Sequence, residues 1–148
     1  MPFEALDDLY REVILEHFKE PHNRATLTTP DLSQEGKNPL CGDEVTVQVK
    51  FTGERITEIS CTGQGCAISQ ASGSIMTDMI KGMEFNDAMA MISSLQKMMQ
   101  GEDIAGLEGD IEALKGARKF PARVKCVTLS WHALEEGLQQ WKAEHPNS

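Results

Sequence analysis

The sequence predicts an α+β fold, a small antiparallel sheet packed against several helices, from the order of its hydrophobic patterns. An amphipathic helical stripe opens the chain, a strand-turn-strand pattern follows, and several helical patterns close it. Helix, then strands, then helices is the order of an α+β domain and not of alternating βαβ units. With 148 residues, no internal repeat and no linker, the chain is expected to form one domain over residues 1–148, because domains commonly run to roughly 100–150 residues.

Residues 3–20 read as the first helix, with Leu6, Leu9, Tyr10, Val13, Ile14, His17 and Phe18 at spacings of three and four. Pro21 and Asn23 end it. Residues 22–40, rich in Asn, Thr, Pro and Gly, are expected to be mostly loop with a short strand approaching Cys41. Val45, Val47, Val49 and Phe51 alternate with Thr46, Gln48 and Lys50, the period of a half-buried strand. The turn Thr52-Gly53-Glu54 leads into a second strand over Arg55–Cys61, which makes a hairpin. Thr62-Gly63-Gln64-Gly65 is expected to break that strand, and a helix of small residues runs from near Cys66 to about Lys81. Asn86 or Asp87 is the expected cap of a further helix ending near Gln100. Residues 101–116 contain four glycines and several acids and read as a broken helical segment. The last helix is the clearest: Val124, Val127, Trp131, Leu134, Leu138 and Trp141 form one stripe, with Pro121 suited to the first turn.

Composition excludes whole classes of function. Fourteen basic residues against 23 acidic ones give a net charge of −9, which repels phosphate backbones and anionic lipid, so neither nucleic acid nor membrane is an expected partner. The longest apolar run, Ala88 to Ile92, falls far short of the roughly 18 residues of a membrane span. The acidic, amphipathic start of the chain does not fit a signal peptide, and a cytoplasmic location is expected. Gly63-x-Gly65 lacks the third glycine of a dinucleotide fingerprint and no Gly-Lys-Ser/Thr follows it. No Ser-His-Asp set suggests itself.

The four cysteines, Cys41, Cys61, Cys66 and Cys126, carry the functional information. In a reducing cytosol, cysteines beside turn residues read as metal ligands or redox thiols. Cys41 lies in Pro39-Leu40-Cys41-Gly42-Asp43 just before a strand. Cys66 falls at an expected helix N-terminus, where free N–H groups and the helix dipole favour a thiolate. Cys126 lies early in the final helix beside Lys125 and Arg123. Three thiols near element ends, with the Asp43 carboxylate, can supply four ligands to one tetrahedral metal such as zinc. No C-x-x-C pair is present, however, and the Cys61–Cys66 spacing on its own suits a four-cysteine site. Against that, Cys61 is in register with Ile59 on a strand, where a cysteine more often packs as a small hydrophobe. His17, on the apolar stripe, reads as a packed or interface residue. The methionines between Met76 and Met99 read as core filler.

Three motifs, Asn38-Pro39-Leu40-Cys41-Gly42-Asp43, Gly63-Gln64-Gly65-Cys66-Ala67-Ile68-Ser69 and Arg123-Val124-Lys125-Cys126, resemble the cysteine motifs of IscU/NifU-type iron–sulfur assembly proteins. The opening Leu9-Tyr10-x-x-Val13-Ile14-x-x-His17-Phe18-x-x-Pro21-x-Asn23 is similar to that family's first helix. Lys125, where IscU scaffolds carry a histidine, and the long segment between Cys66 and Cys126 resemble the SufU branch. Cys61 departs from the family pattern, in which an aromatic or apolar residue is usual. The resemblance implies an IscU/SufU-like fold with zinc bound by Cys41, Asp43, Cys66 and Cys126. It implies that sulfur is accepted from a SufS-type, PLP-dependent cysteine desulfurase, with Cys41 as acceptor and a downstream iron–sulfur assembly scaffold as recipient. Two rivals use the same residues: a scaffold for a transient [2Fe–2S] cluster or iron, and a purely structural zinc site.

Overall fold

Alternation along Asp43–Thr52 (β2) buries Val45, Val47 and Val49 on one face, and this strand is the centre of a three-stranded antiparallel sheet of order β1-β2-β3. The computed structural model describes residues 8–146; the expected first turn of the opening helix, with Leu6, lies outside the described residues. Helix α1 (Asp8–Lys19) leads to β1 (Leu32–Asn38), β2 and β3 (Arg55–Gln64), then α2 (Ala67–Ile80) and α3 (Phe85–Met99). A short helix, α4 (Glu112–Lys115), is flanked by 3₁₀ turns at Gly109–Ile111 and Gly116–Lys119, and α5 (Pro121–Glu144) ends the fold. Among the described residues, no helix is long and apolar enough to cross a membrane.

Several boundaries differ from expectation, and in each case tertiary contact overrides local pattern. β1 is a full seven-residue strand although Gln34-Glu35-Gly36-Lys37 shows no apolar alternation. It is held by its register with β2, Leu32 opposite Val49 through Asn38 opposite Asp43. It also lies close under α5: a Cβ on Gly36 would meet Ala133 Cβ and Leu129 Cδ1, each at 3.2 Å. β3 does not stop at Cys61 but continues through Gly63 and Gln64, paired with Val45 and Glu44. α3 begins at Phe85, ahead of the expected Asn86 or Asp87 cap. Its start is set by a bridge between Arg55 and Glu84 and by the Phe85 N–H donating to Glu54 O at 2.8 Å.

One face of the sheet and the helices share a core that includes Ile14, Ile56, Ile75, Met76, Ile92, Leu134 and Leu138. Met98 and Met99 are buried in it, and Met79, Met83, Met89 and Met91 pack against it, so the methionine-rich segment is core filler. At its centre Trp131 on α5 is fully buried and its Nε1–H donates to Ser72 Oγ on α2 at 3.0 Å. The Ser72 hydroxyl in turn donates to Val127 O at 2.6 Å. This pair of bonds fixes α2 against α5 one turn beyond Cys126.

His17 is buried at the α1–α2 contact. Its Nδ1 is 2.7 Å from Ser74 Oγ and its Nε2 is 2.7 Å from Asp110 Oδ2. The main-chain N–H of His22 donates to the same Ser74 oxygen at 2.8 Å. The ring nitrogens are thus both engaged in packing α1 onto the fold. His145 also finds a place, stacked on Trp141 with Nδ1 donating to Trp141 O at 2.8 Å.

Replacing Trp131 with Phe removes the donor to Ser72 and leaves a buried oxygen short of a partner. The expected loss is about 1–3 kcal/mol of unfolding free energy, read as a lower urea midpoint at unchanged slope. An unchanged midpoint would contradict the role of this bond.

Candidate metal centre

The three motifs meet at one end of the sheet. Asp43 opens β2 and is buried at 1% exposure. Its Oδ1 accepts the main-chain N–H of Cys66 at 2.9 Å, at the N-terminus of α2. Cys66 caps that helix: its Sγ accepts from Ser69 N at 3.4 Å, and Ser69 Oγ donates to Cys66 O at 3.2 Å. The approach of Asp43 requires Gly65, with φ +150 and no room for a side chain; a Cβ there would sit 2.2 Å from Asp43 Oδ1. Cys41 lies on the loop between β1 and β2, where its N–H donates to Asn38 O at 3.2 Å and Gly42 takes a left-handed φ of 68°. Cys126 enters from the first turns of α5, fully buried.

The sulfurs of Cys126 and Cys41 are 3.6 Å apart, and Cys66 Sγ is 3.9 Å from Asp43 Oδ2. Ligand atoms of Cys41, Asp43 and Cys126 all lie within 4.8 Å of one another. Metal–sulfur bonds of about 2.3 Å and metal–oxygen bonds of about 2.1 Å at the tetrahedral angle separate neighbouring ligand atoms by about 3.6–3.8 Å. The Cys126–Cys41 and Cys66–Asp43 distances match that spacing, and thiolate with carboxylate is a donor set that zinc accepts; Cys41, Asp43 and Cys126 come together as one group that could hold an ion, while Cys66 lies beside Asp43 at its edge and outside that group.

Electrostatics within the cluster favour an anionic Cys66 and a protonated Cys126. A hydrogen bond from the Cys126 thiol brings Cys66 down to about 6; burial and the Asp43 charge oppose the shift, and the Ser69 N–H assists it. Cys126 is correspondingly pushed far up, first by that bond to Cys66 and then by burial. Arg123 Nη1 lies 3.8 Å from Cys126 Sγ, and this contact holds its guanidinium more firmly protonated. Lys125, adjacent in sequence, is exposed.

Cys61 is elsewhere. It is buried opposite Val47 on β3, and a Cβ on Gly73 of α2 would sit 2.7 Å from its sulfur. Burial pushes its thiol up to about 12. The in-register strand position is therefore a core position, and the four-cysteine alternative has no geometric support. Two contributors to the site were not singled out from the sequence. Ser69 is visible in principle as the residue three positions after a helix-capping Cys66. Asn38 heads the motif that contains Cys41, but only the strand register shows that it points toward α5. A second cluster, His17, His22 and Asp78, has ligand atoms within 4.8 Å of one another, yet His17 is already bonded through both ring nitrogens.

The fold and the cluster together define a protein of the IscU/SufU class. A model of the NifU-like N terminal domain matches residues 9–147, and the chain belongs to that family. It is 46% identical over 142 residues to the zinc-dependent sulfurtransferase SufU of Bacillus subtilis (strain 168), covering 93% of this chain and 95% of that protein. It is 38% identical over 142 residues to the iron–sulfur cluster assembly scaffold protein IscU of Streptococcus pyogenes serotype M1, covering 95% and 89%. Among solved structures, a candidate scaffold protein for the SUF system from Fervidobacterium islandicum AW-1 superposes with a TM-score of 0.84 at 32% identity, covering 93% of this chain and 99% of that one.

The thiol order is testable in metal-free protein. Iodoacetamide at pH 7.5 is expected to modify Cys66 early, at a rate that falls as pH drops through about 6, and Cys61 last. Peptide mass spectrometry reads both. Cys61 reacting as fast as Cys66 would contradict the placement.

Proposed function

We propose that this protein is a zinc-dependent sulfurtransferase of iron–sulfur cluster assembly, which takes persulfide sulfur from a SufS-type cysteine desulfurase in the cytoplasm. The observation that carries the reading is the meeting of Cys41, Asp43 and Cys126 at one end of the sheet with Cys66 beside Asp43, Cys41 lying half-exposed on a loop while Cys66 caps α2 and Cys126 is buried on α5. The 46% identity to a zinc-dependent sulfurtransferase supports the same reading.

Cys41, Asp43, Cys66 and Cys126 would hold the zinc. When bound, zinc keeps the cysteines as thiolates at neutral pH and adds no redox chemistry. Cys41 is the acceptor in this account. Its thiolate attacks the outer sulfur of a donor persulfide; a sulfur–sulfur bond forms on Cys41 as the donor's sulfur–sulfur bond breaks, and the donor cysteine leaves with the electron pair as thiolate. No net oxidation occurs. Cys126 and Cys66, fixed on α5 and α2, keep the remaining donors in place, and Arg123 offsets their negative charge. Asp43 contributes a harder ligand than a fourth thiolate would.

The scaffold reading, a transient [2Fe–2S] cluster on the same thiols, draws support from the 38% identity to an IscU scaffold protein. Metal and chromophore content after anaerobic purification, followed by desulfurase turnover with and without this protein, separates the two. About one zinc per chain, no visible absorbance and faster turnover are expected. Iron with acid-labile sulfide, a charge-transfer band and unchanged turnover would overturn the transferase reading.

The roles of the thiols separate by substitution. Cys61→Ser is expected to keep stoichiometric zinc and transfer activity; zinc loss in that variant would contradict the ligand set. Cys41→Ala is expected to abolish persulfide uptake even where zinc remains, and retained uptake would remove Cys41 as acceptor.

A further inference from the structure

Asn38 presents a buried polar group that neither the fold nor the four-ligand cluster accounts for. It is the last residue of β1 and is 7% exposed, yet its Nδ2 has no hydrogen-bond partner among the described residues. Amides are rarely left so, because an unpaired buried donor carries a desolvation penalty with nothing to offset it. The strand register shows where it lies. Leu32, Gln34 and Gly36 occupy the same face of β1, and a Cβ on Gly137 of α5 would meet Leu32 and Gln34 at 2.9 and 3.2 Å, as one on Gly36 would meet Ala133 and Leu129. Two residues on, Asn38 faces the N-terminal turns of α5.

There it lines a cleft of about 250 Å³ together with Leu40, Cys41, Pro121, Ala122 and Lys125. The walls from Leu40, Pro121 and Ala122 are apolar, and Leu40 is 83% exposed at the rim. The cleft is therefore lined by Asn38, whose amide donor is unpartnered and closed to solvent, and by Lys125, beside Cys41, a thiol of the cluster that is half-open to solvent. Cys41 Sγ is not a partner of the amide at rest. An outer sulfur bonded to Cys41 extends about 2 Å further, and it is anionic at neutral pH because a persulfide is more acidic than a thiol.

We infer that this cleft is a binding site for the sulfane sulfur, in which Asn38 Nδ2 donates to the outer persulfide sulfur on Cys41 and Lys125 supplies the opposing charge. The inference rests on the acceptor role of Cys41 and assigns a substrate-binding role to Asn38. As the outer sulfur moves from donor to Cys41, the amide gains the partner it lacks at rest, so its bond forms along the transfer and favours the loaded state.

The test uses zinc-loaded full-length protein and glutathione persulfide, so that no desulfurase is needed. The balanced step is glutathione persulfide plus Cys41 thiolate giving glutathione thiolate plus Cys41 persulfide. Wild type, Asn38→Ala and Asn38→Asp are compared for zinc per chain, thermal midpoint, and the rate and lifetime of persulfide on Cys41 by alkylation and mass spectrometry. Both variants are expected to keep zinc, and Asn38→Ala to load about tenfold more slowly or worse. Asn38→Asp, of the same shape but with a carboxylate facing the anion, is expected to load more slowly still. Loading and lifetime equal to wild type in the variants would overturn the role of Asn38. Loss of zinc along with loading would overturn it too, since the amide would then be a structural part of the metal centre. Absence of persulfide on wild-type Cys41 would overturn the acceptor reading itself, which keeps the two failures distinguishable.

Discussion

The buried carboxylate of Asp43, accepting the main-chain N–H of Cys66, the cap residue of helix α2, ties together the parts of the molecule that carry the chemistry. It joins the start of β2 to the end of the β3–α2 connection and holds Cys66 at a helix N-terminus, where the dipole favours negative charge. With one oxygen committed to the backbone, the other is left facing the Cys66 sulfur at 3.9 Å. A carboxylate at 1% exposure beside Cys66, the one thiol here brought down toward ionisation, is a concentration of negative charge that a shared cation would relieve. Gly65 follows from the same constraint, because any side chain there would collide with the carboxylate.

The rest of the fold supplies rigidity around that point. α5 is clamped to α2 by the Trp131–Ser72–Val127 bonds, and to β1 by the small residues Gly36 and Gly137. Cys126 is placed by the first clamp and the Asn38 face of β1 by the second. Cys41 alone sits on a segment without helix or strand bonding, between strands that are themselves fixed. A site with two rigid thiols and one on a loop is suited to exchanging one ligand while retaining the others. A closed structural zinc site has no need of that asymmetry or of a cleft beside one ligand.

Much of this was legible in the sequence, and the parts that were not share a cause. The valine alternation of β2 and the stripe of α5 are local patterns that packing only reinforces. β1 was hidden because Gln34-Glu35-Gly36-Lys37 owes its strand conformation to pairing with β2 and to close approach under α5, neither of which leaves a mark in side-chain periodicity. The glycines at 63 and 65 read as a strand break because glycine usually is one. Here they let β3 continue alongside β2 and let Asp43 come close. For the site, motif spacing placed Cys41, Cys66 and Cys126 near element ends, and strand register separated Cys61 from them. The unpaired amide of Asn38 could not be read from residue order, since it depends on which face of an unrecognised strand the side chain occupies.

The proposed zinc shell holds three sulfurs and one carboxylate oxygen, with Cys61 and every imidazole excluded. X-ray absorption at the zinc edge of the metal-loaded protein tests it most directly. The account predicts three sulfur scatterers at about 2.3 Å and one oxygen at about 2.0–2.2 Å, with no outer-shell imidazole signal. Four sulfurs, or the multiple-scattering pattern of a histidine ligand, would contradict it.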